Sequence, residues 1–128
     1  MSVRIVRLGS LRAAGEGVRI GTVRRPPRGV PKADFARLDY YDTWLPLLAP
    51  SLGLMSEAKA ARTAADWDRF VRRFRAEMNG ADASRVLDLL ALLSRSADFS
   101  VGCYCEVEDR CHRSVLRQLL AERGAAIG

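Results

Sequence analysis

The chain has 128 residues, 48% apolar and 28% charged, with a net charge of +6, a length and balance that fit one soluble domain with a real core and exclude a disordered or fibrous protein. No apolar run approaches the roughly 20 residues that cross a bilayer. The opening MSVRIVRLGS has no apolar signal region, and three cysteines do not make a disulfide scaffold, so the expectation is a cytoplasmic protein with reduced thiols and no membrane contact.

Val3 to Leu8 (VRIVRL) and Gly17 to Val23 (GVRIGTV) are β-prone, and the glycine-rich Gly9 to Gly17 between them is a loop. Arg24 to Pro31 (RRPPRGVP) carries three prolines, which fix φ and remove donors, so it is a rigid extended loop. Tyr40 to Pro46 is a third short strand candidate, and Ser51 opens a short helix after Ala49-Pro50. Thr63-Ala-Ala-Asp66 has the form of a capping box with Asp in place of Glu. Behind it Trp67, Phe70, Val71, Phe74 and Met78 recur at helical spacing, and Asn79-Gly80 stops the helix. Asp82 or Ser84 opens the next, with Val86, Leu87, Leu89, Leu90 and Leu93 apolar. Asp98 to Tyr104 (DFSVGCY) reads as a buried strand. An acidic turn, Glu106 to Asp109, leads to a last helix over Cys111 to Arg123, with Gly124 as its stop. Strands separated by helices predict a single small α/β domain over residues 1–128, with a short, partly parallel sheet flanked by helices.

The charge is uneven. Residues 1–40 carry nine Arg/Lys against three acids, and residues 41–128 carry twelve of each. A basic N-terminal third attracts anions: nucleic acid, nucleotide or phosphorylated metabolite. Arginine outnumbers lysine nineteen to two, so part of this content also fits codon bias and plain solubility.

All three cysteines and the one histidine fall between Cys103 and His112. The predicted elements place Cys103 and Cys105 at the end of a strand, and Cys111, His112 and Arg113 in the first turn of a helix. Ligands of open α/β sheets bind at that edge. A helix N-terminus offers free N–H groups and a partial positive charge that lowers a thiol's pKa. The spacing does not match a phosphatase loop of the form Cys-x5-Arg, a zinc deaminase or a Cys-x-x-Cys redox site. A Cys103–Cys105 disulfide is disfavoured, because a strand splays the two side chains. Cys103, Cys105, Cys111 and His112 make a complete Cys3His zinc set. Against it, cysteines two apart on a strand lie about 7 Å from each other, and the adjacent Cys111 and His112 point in different directions. In the plain structural alternative Cys103 is a small buried hydrophobe, and Arg113 pairs with Glu106, Glu108 or Asp109.

Three stretches carry a family resemblance: TVRRPPRGVPKADF (Thr22 to Phe35), YYDTWLPLLAPS (Tyr40 to Ser51), and Cys103-x7-Cys111-His112-Arg113, with the helix WDRFVRRFRAEM (Trp67 to Met78) in support. Over most of its length the chain resembles the domain-of-unknown-function family 488 (DUF488), to which YeaO-like proteins belong. The resemblance implies a small bacterial or archaeal α/β domain and supplies no activity. Many members carry Asp-Val-Arg where this chain has Thr22-Val23-Arg24, and Cys-x-Glu where it has Cys103-x-Cys105. The YeaO-like branch lacks the Cys-His-Arg cluster, which argues against a metal essential to the whole fold.

The leading expectation is an anion pocket between the Arg24–Lys32 loop and the Cys111–Arg113 helix start. Arg24, Arg25 and Arg113, with Cys103, would bind a phosphate or carboxylate, arginine by its bidentate fork. His112 would act as donor or general acid/base, and Cys111 or Cys103 as nucleophile. No cofactor is required, though zinc fits the four-residue set. The alternatives are a nucleic-acid-binding module whose Cys/His cluster is structural or zinc-bound, and an interaction subunit whose partner supplies the activity.

Overall fold

A computed structural model describes all of residues 1–128. Strands β1 (Val3–Arg7), β2 (Val18–Gly21), β3 (Thr43–Trp44) and β4 (Phe99–Cys103) form one sheet in the order β1-β4-β2-β3. Every pairing is parallel, beyond the partial parallelism that the sequence predicts. Four helices accompany it: α1 (Leu52–Ala60), α2 (Ala64–Met78), α3 (Ala81–Leu93) and α4 (His112–Glu122). None is long and apolar enough to cross a membrane.

Strand β4 is buried at every residue. Its sequence FSVGC has no charge, as a strand covered on both faces requires. Alternation puts Phe99 and Val101 on one face, where they join Val3 and Ile5 of β1 and the helical residues Phe70, Phe74, Leu87 and Leu116 in the main core. Gly102 points the other way. A Cβ there would lie 2.6 Å from the Val6 carbonyl oxygen, so only glycine lets β1 approach this closely.

The face opposite the helices carries a buried polar group. Arg19, paired in register with Ser100, is fully buried. Its guanidinium donates to Glu16 through Nε at 2.7 Å and Nη2 at 3.1 Å, and through Nη1 to the carbonyls of Ser10 and Asp39. The Ser100 hydroxyl donates to Glu16 Oε2 at 2.9 Å. Two loops are thereby tied onto the sheet by one arginine.

The helices follow local rules. At α2 both halves of the capping box form: Thr63 accepts from the Asp66 N–H, and Asp66 accepts from the Thr63 N–H. Phe70, Phe74 and Met78 are its buried stripe. Ser51 caps α1 by accepting from the Leu54 N–H. Helix α3 departs from expectation. It begins at Ala81 with Gly80 as N-cap and no side-chain cap, because the break after α2 takes only Asn79 and Gly80, and the Gly80 carbonyl already accepts from Ser84 N–H at 2.9 Å. Gly124 ends α4 with φ of +81°, a conformation that favours glycine. The strand expected over Tyr40 to Pro46 contracts to Thr43–Trp44, because Pro46 has no N–H to donate and opens a single 3₁₀ turn.

Burial raises the pKa of Glu16, but hydrogen bonds from Arg19, the Ala13 N–H and Ser100 outweigh it and hold the carboxyl below the usual range. A carboxyl lowered by folding stabilises the fold above its ordinary pKa and loses that contribution as pH falls. Denaturant midpoints should therefore drop as pH goes below about 4.5, and Glu16→Gln should flatten that part of the profile. Glu16→Ala leaves a buried guanidinium without its counter-ion and should cost about 3–5 kcal/mol in urea unfolding.

Candidate functional site

Strand β4 stops at Cys103, and the chain then bends away from the sheet. Cys105 lies beyond the strand, exposed, with its Sγ 3.7 Å from that of Cys103. The two thiols expected to splay are in contact, because the strand does not reach the second of them. A 3₁₀ turn over Glu108–Arg110 brings the chain back, and Cys111 becomes the N-cap of α4. Cys111 Sγ sits 3.8 Å from His112 Nδ1, so these neighbours converge where the sequence suggests divergence. The change of backbone from extended at Cys111 to helical at His112 makes this possible. The ligand atoms of Cys103, Cys111 and His112 all lie within 4.8 Å of one another and are buried, a group able to hold a metal ion.

His112 Nε2 is 2.6 Å from the Thr22 carbonyl oxygen. A carbonyl only accepts, so Nε2 carries the proton and Nδ1 is left as a lone pair facing the sulfurs. The ring also stands edge-on to Phe74. Burial pushes the His112 pKa down, against the opposing effects of the Thr22 carbonyl and Cys105, and favours neutral imidazole.

The three thiols shift one another's titration. The hydrogen bond from Cys103, then that from Cys111, lowers Cys105, and the nearby Arg113 guanidinium adds to the effect. The bond to Cys105 pushes Cys103 up to about 11. Cys111 is raised by its bonds to Cys103 and Cys105 and by burial. The hydrogen bonds thus favour ionisation at Cys105, which is also the exposed sulfur.

Arg113 is buried and donates from Nη2 to the Cys105 carbonyl at 2.7 Å, while its Nε has no partner. It therefore braces the loop behind Cys105. It forms no ion pair with Glu106, Glu108 or Asp109, the partners considered from sequence. Glu108 binds Arg117 at 2.6 Å, and Glu106 lies 3.7 Å from Arg7.

A cavity of about 800 Å³ opens in front of this group. It lies between the proline-rich loop after β2 and the start of α4. Of the sequence-selected residues, Arg24, Arg25, Cys103, Cys105, Cys111 and His112 line it, and Arg113 does not. Its charged side chains are Arg7, Arg24, Arg25, Arg28, Lys59 and Arg110, and no carboxylate is among its lining. Arg24 already donates to the carbonyls of Pro50 and Ala49, both at 3.0 Å. The side chains of Arg25, Arg28 and Lys59 are exposed and carry no hydrogen bond or ion pair. Tyr40 and Tyr104, edge-on at 6.1 Å, form part of the apolar wall.

Three of these cations, Arg7, Lys59 and Arg110, escape sequence reasoning. Arg7 ends β1 in register with Cys103, so strand pairing is what brings it to the site. Arg28 lies in the RRPPRGVP loop and was legible there as a basic position. Lys59 and Arg110 have no local signal.

A family model described as the active DUF488-N3 subclade matches residues 3–124. The chain belongs to the DUF488 family. The match runs from the start of β1 to the glycine that ends α4, so it takes in every residue of the DUF488 site described above. No curated protein and no solved structure matches the chain.

In chelator-treated protein, iodoacetamide should modify the exposed Cys105 first, and the buried Cys103 and Cys111 more slowly. Peptide mapping by mass spectrometry reads the order, and equal rates at all three would refute the charge assignment.

Proposed function

We propose that this DUF488 protein binds a small molecule bearing a phosphate or carboxylate group in the cavity at the ends of β1, β4 and β2. One observation carries the reading: the cavity's six formally charged side chains are all cations, with no acid among them. A concave site without carboxylates has a positive potential that low-dielectric walls focus, and it selects anions before any hydrogen bond forms. The volume suits a ligand of metabolite size.

Recognition divides among the cations by their freedom. Arg25, Arg28 and Lys59 are the groups with donors to spare, and an arginine fork meets the paired oxygens of a phosphate or carboxylate. Arg24 serves the wall through its bonds to Ala49 and Pro50 and adds charge. The apolar side, with Tyr40 and Tyr104, takes the body of the ligand. Cys105 is the sulfur such a ligand meets first, since Cys103, Cys111 and His112 are buried behind it. Reduced thiols in this position suit a cytoplasmic protein.

Titration calorimetry against inorganic phosphate, pyrophosphate and nucleoside phosphates at low salt tests the reading. Binding should weaken as salt rises. Arg25→Ala with Arg28→Ala should lower affinity by about 10- to 100-fold, the loss expected of charge-assisted hydrogen bonds, without moving the unfolding midpoint. No binding by any of these anions would refute the proposal. A far steeper salt slope with single-stranded oligonucleotide, and none with the small anions, would transfer the site to nucleic acid.

A further inference from the structure

We infer that Cys103, Cys105, Cys111 and the Nδ1 atom of His112 form one four-coordinate site for a thiophilic divalent cation, zinc above all, at the floor of the cavity. The inference does not depend on the cavity holding an anion.

The donor set comes first. Three sulfurs and one imidazole nitrogen, with no oxygen ligand among them, exclude calcium and magnesium, which need oxygen, and match the Cys3His composition of structural zinc.

Spacing is the second argument. A zinc–sulfur bond of about 2.3 Å implies a sulfur–sulfur tetrahedral edge of about 3.8 Å, and a sulfur–nitrogen edge of about 3.6 Å. The Cys103–Cys105 pair stands at 3.7 Å and the Cys111–His112 pair at 3.8 Å. Cys103, Cys111 and His112 lie within 4.8 Å of one another, and Cys105 touches Cys103 from the cavity side. The protein already gathers three of the donors within reach of one ion and holds the fourth against Cys103.

The aim of the imidazole is the third and independent argument. Nε2–H donates to the Thr22 carbonyl at 2.6 Å, which fixes the ring and leaves the Nδ1 lone pair pointing at sulfur. Metal-bound histidines are oriented in this way by a carbonyl or carboxylate on the far nitrogen. A histidine buried only for packing needs no such pairing of a fixed donor with an open acceptor among thiols.

Charge closes the case. Each thiol enters as thiolate and gives up its proton to solvent. Three thiolates, one neutral imidazole and a divalent cation sum to one negative charge. That charge sits under a cavity walled by arginines, with Arg113 bracing the loop behind Cys105. Leu8, Val23 and Tyr41 pack around the two buried sulfurs and keep the inner side dry. The outer face is closed by Cys105, which is exposed and in contact with Cys103.

The test uses untagged full-length protein. Metal content is measured by mass spectrometry as purified. Free thiols are counted before and after a chelator, and the apo protein is titrated with zinc chloride and with cobalt chloride. About one zinc per chain is expected, with three thiols shielded until the chelator is added. Cobalt should give the intense visible bands of a tetrahedral thiolate site. Cys105→Ser, at an exposed position that should not disturb folding, is expected to keep the fold, weaken zinc binding by about 10- to 100-fold and alter the cobalt spectrum. Three titratable thiols unaffected by added zinc, with no cobalt bands, would overturn the site. Unchanged zinc affinity and spectrum in Cys105→Ser would overturn the fourth ligand. Phosphate binding measured on the same apo and zinc-loaded samples keeps this outcome separate from that of the anion reading.

Discussion

The burial of β4 is the constraint on which the other features depend. A parallel sheet places its central strand out of water on both faces, so Phe99 to Cys103 must be free of charge and must accept a neighbour on each side. β1 and β2 take their register from it. One face is then closed by helices and the other by loops, which bury an arginine to hold themselves down. Because β1, β4 and β2 all point the same way, their C-terminal ends open at one edge. Backbone groups there have no further strand to pair with, and the start of α4 arrives at the same place. The site is where a sheet of this kind runs out.

Two opposed chemistries meet at that edge. The cations come from widely separated elements: the end of β1, the proline-rich loop, the last turn of α1 and the turn before α4. The sulfur group comes from a single stretch of nine residues. Distributed charge suits recognition, since cations on separate elements can meet a ligand from several sides. Contiguous soft donors suit tight coordination, since one loop sets all their distances. Thr22 links the two, as its carbonyl orients His112 while the residues after it begin the cationic wall.

What could be read beforehand follows from range. The start of α2 was legible because Thr63 and Asp66 cap it within four residues and Phe70, Phe74 and Met78 repeat at its own period. The all-α/β character and the DUF488 membership were legible for the same reason, through local pattern and motif. The clustering of three cysteines and a histidine pointed to the right segment. Its geometry was not legible, because it turns on where β4 ends. That end is set by the partner: β1 finishes at Arg7, opposite Cys103, and the Leu8 N–H still reaches the Cys103 carbonyl before the left-handed Gly9 turns the chain away. Nothing beyond Cys103 has a strand to continue against. Arg113 looked like a ligand-binding group because it follows Cys-His, yet its face of α4 turns inward. Lys59 could not be selected at all, since only the packing of α1 against α2 carries it to the cavity.

The scarcity of lysine has a practical consequence. Most of the chain's basic groups are guanidinium, and several of them, among them Arg19, Arg24, Arg95 and Arg113, donate to backbone carbonyls, Arg24 to two at once from different nitrogens. Primary amines are left at only three places: the N-terminus, Lys32 and Lys59. Lys59 alone borders the cavity. An amine-reactive dye or short cross-linker therefore addresses this surface almost as a designed single-site label does. Whatever occupies the cavity would shield one amine and leave the other two as internal standards.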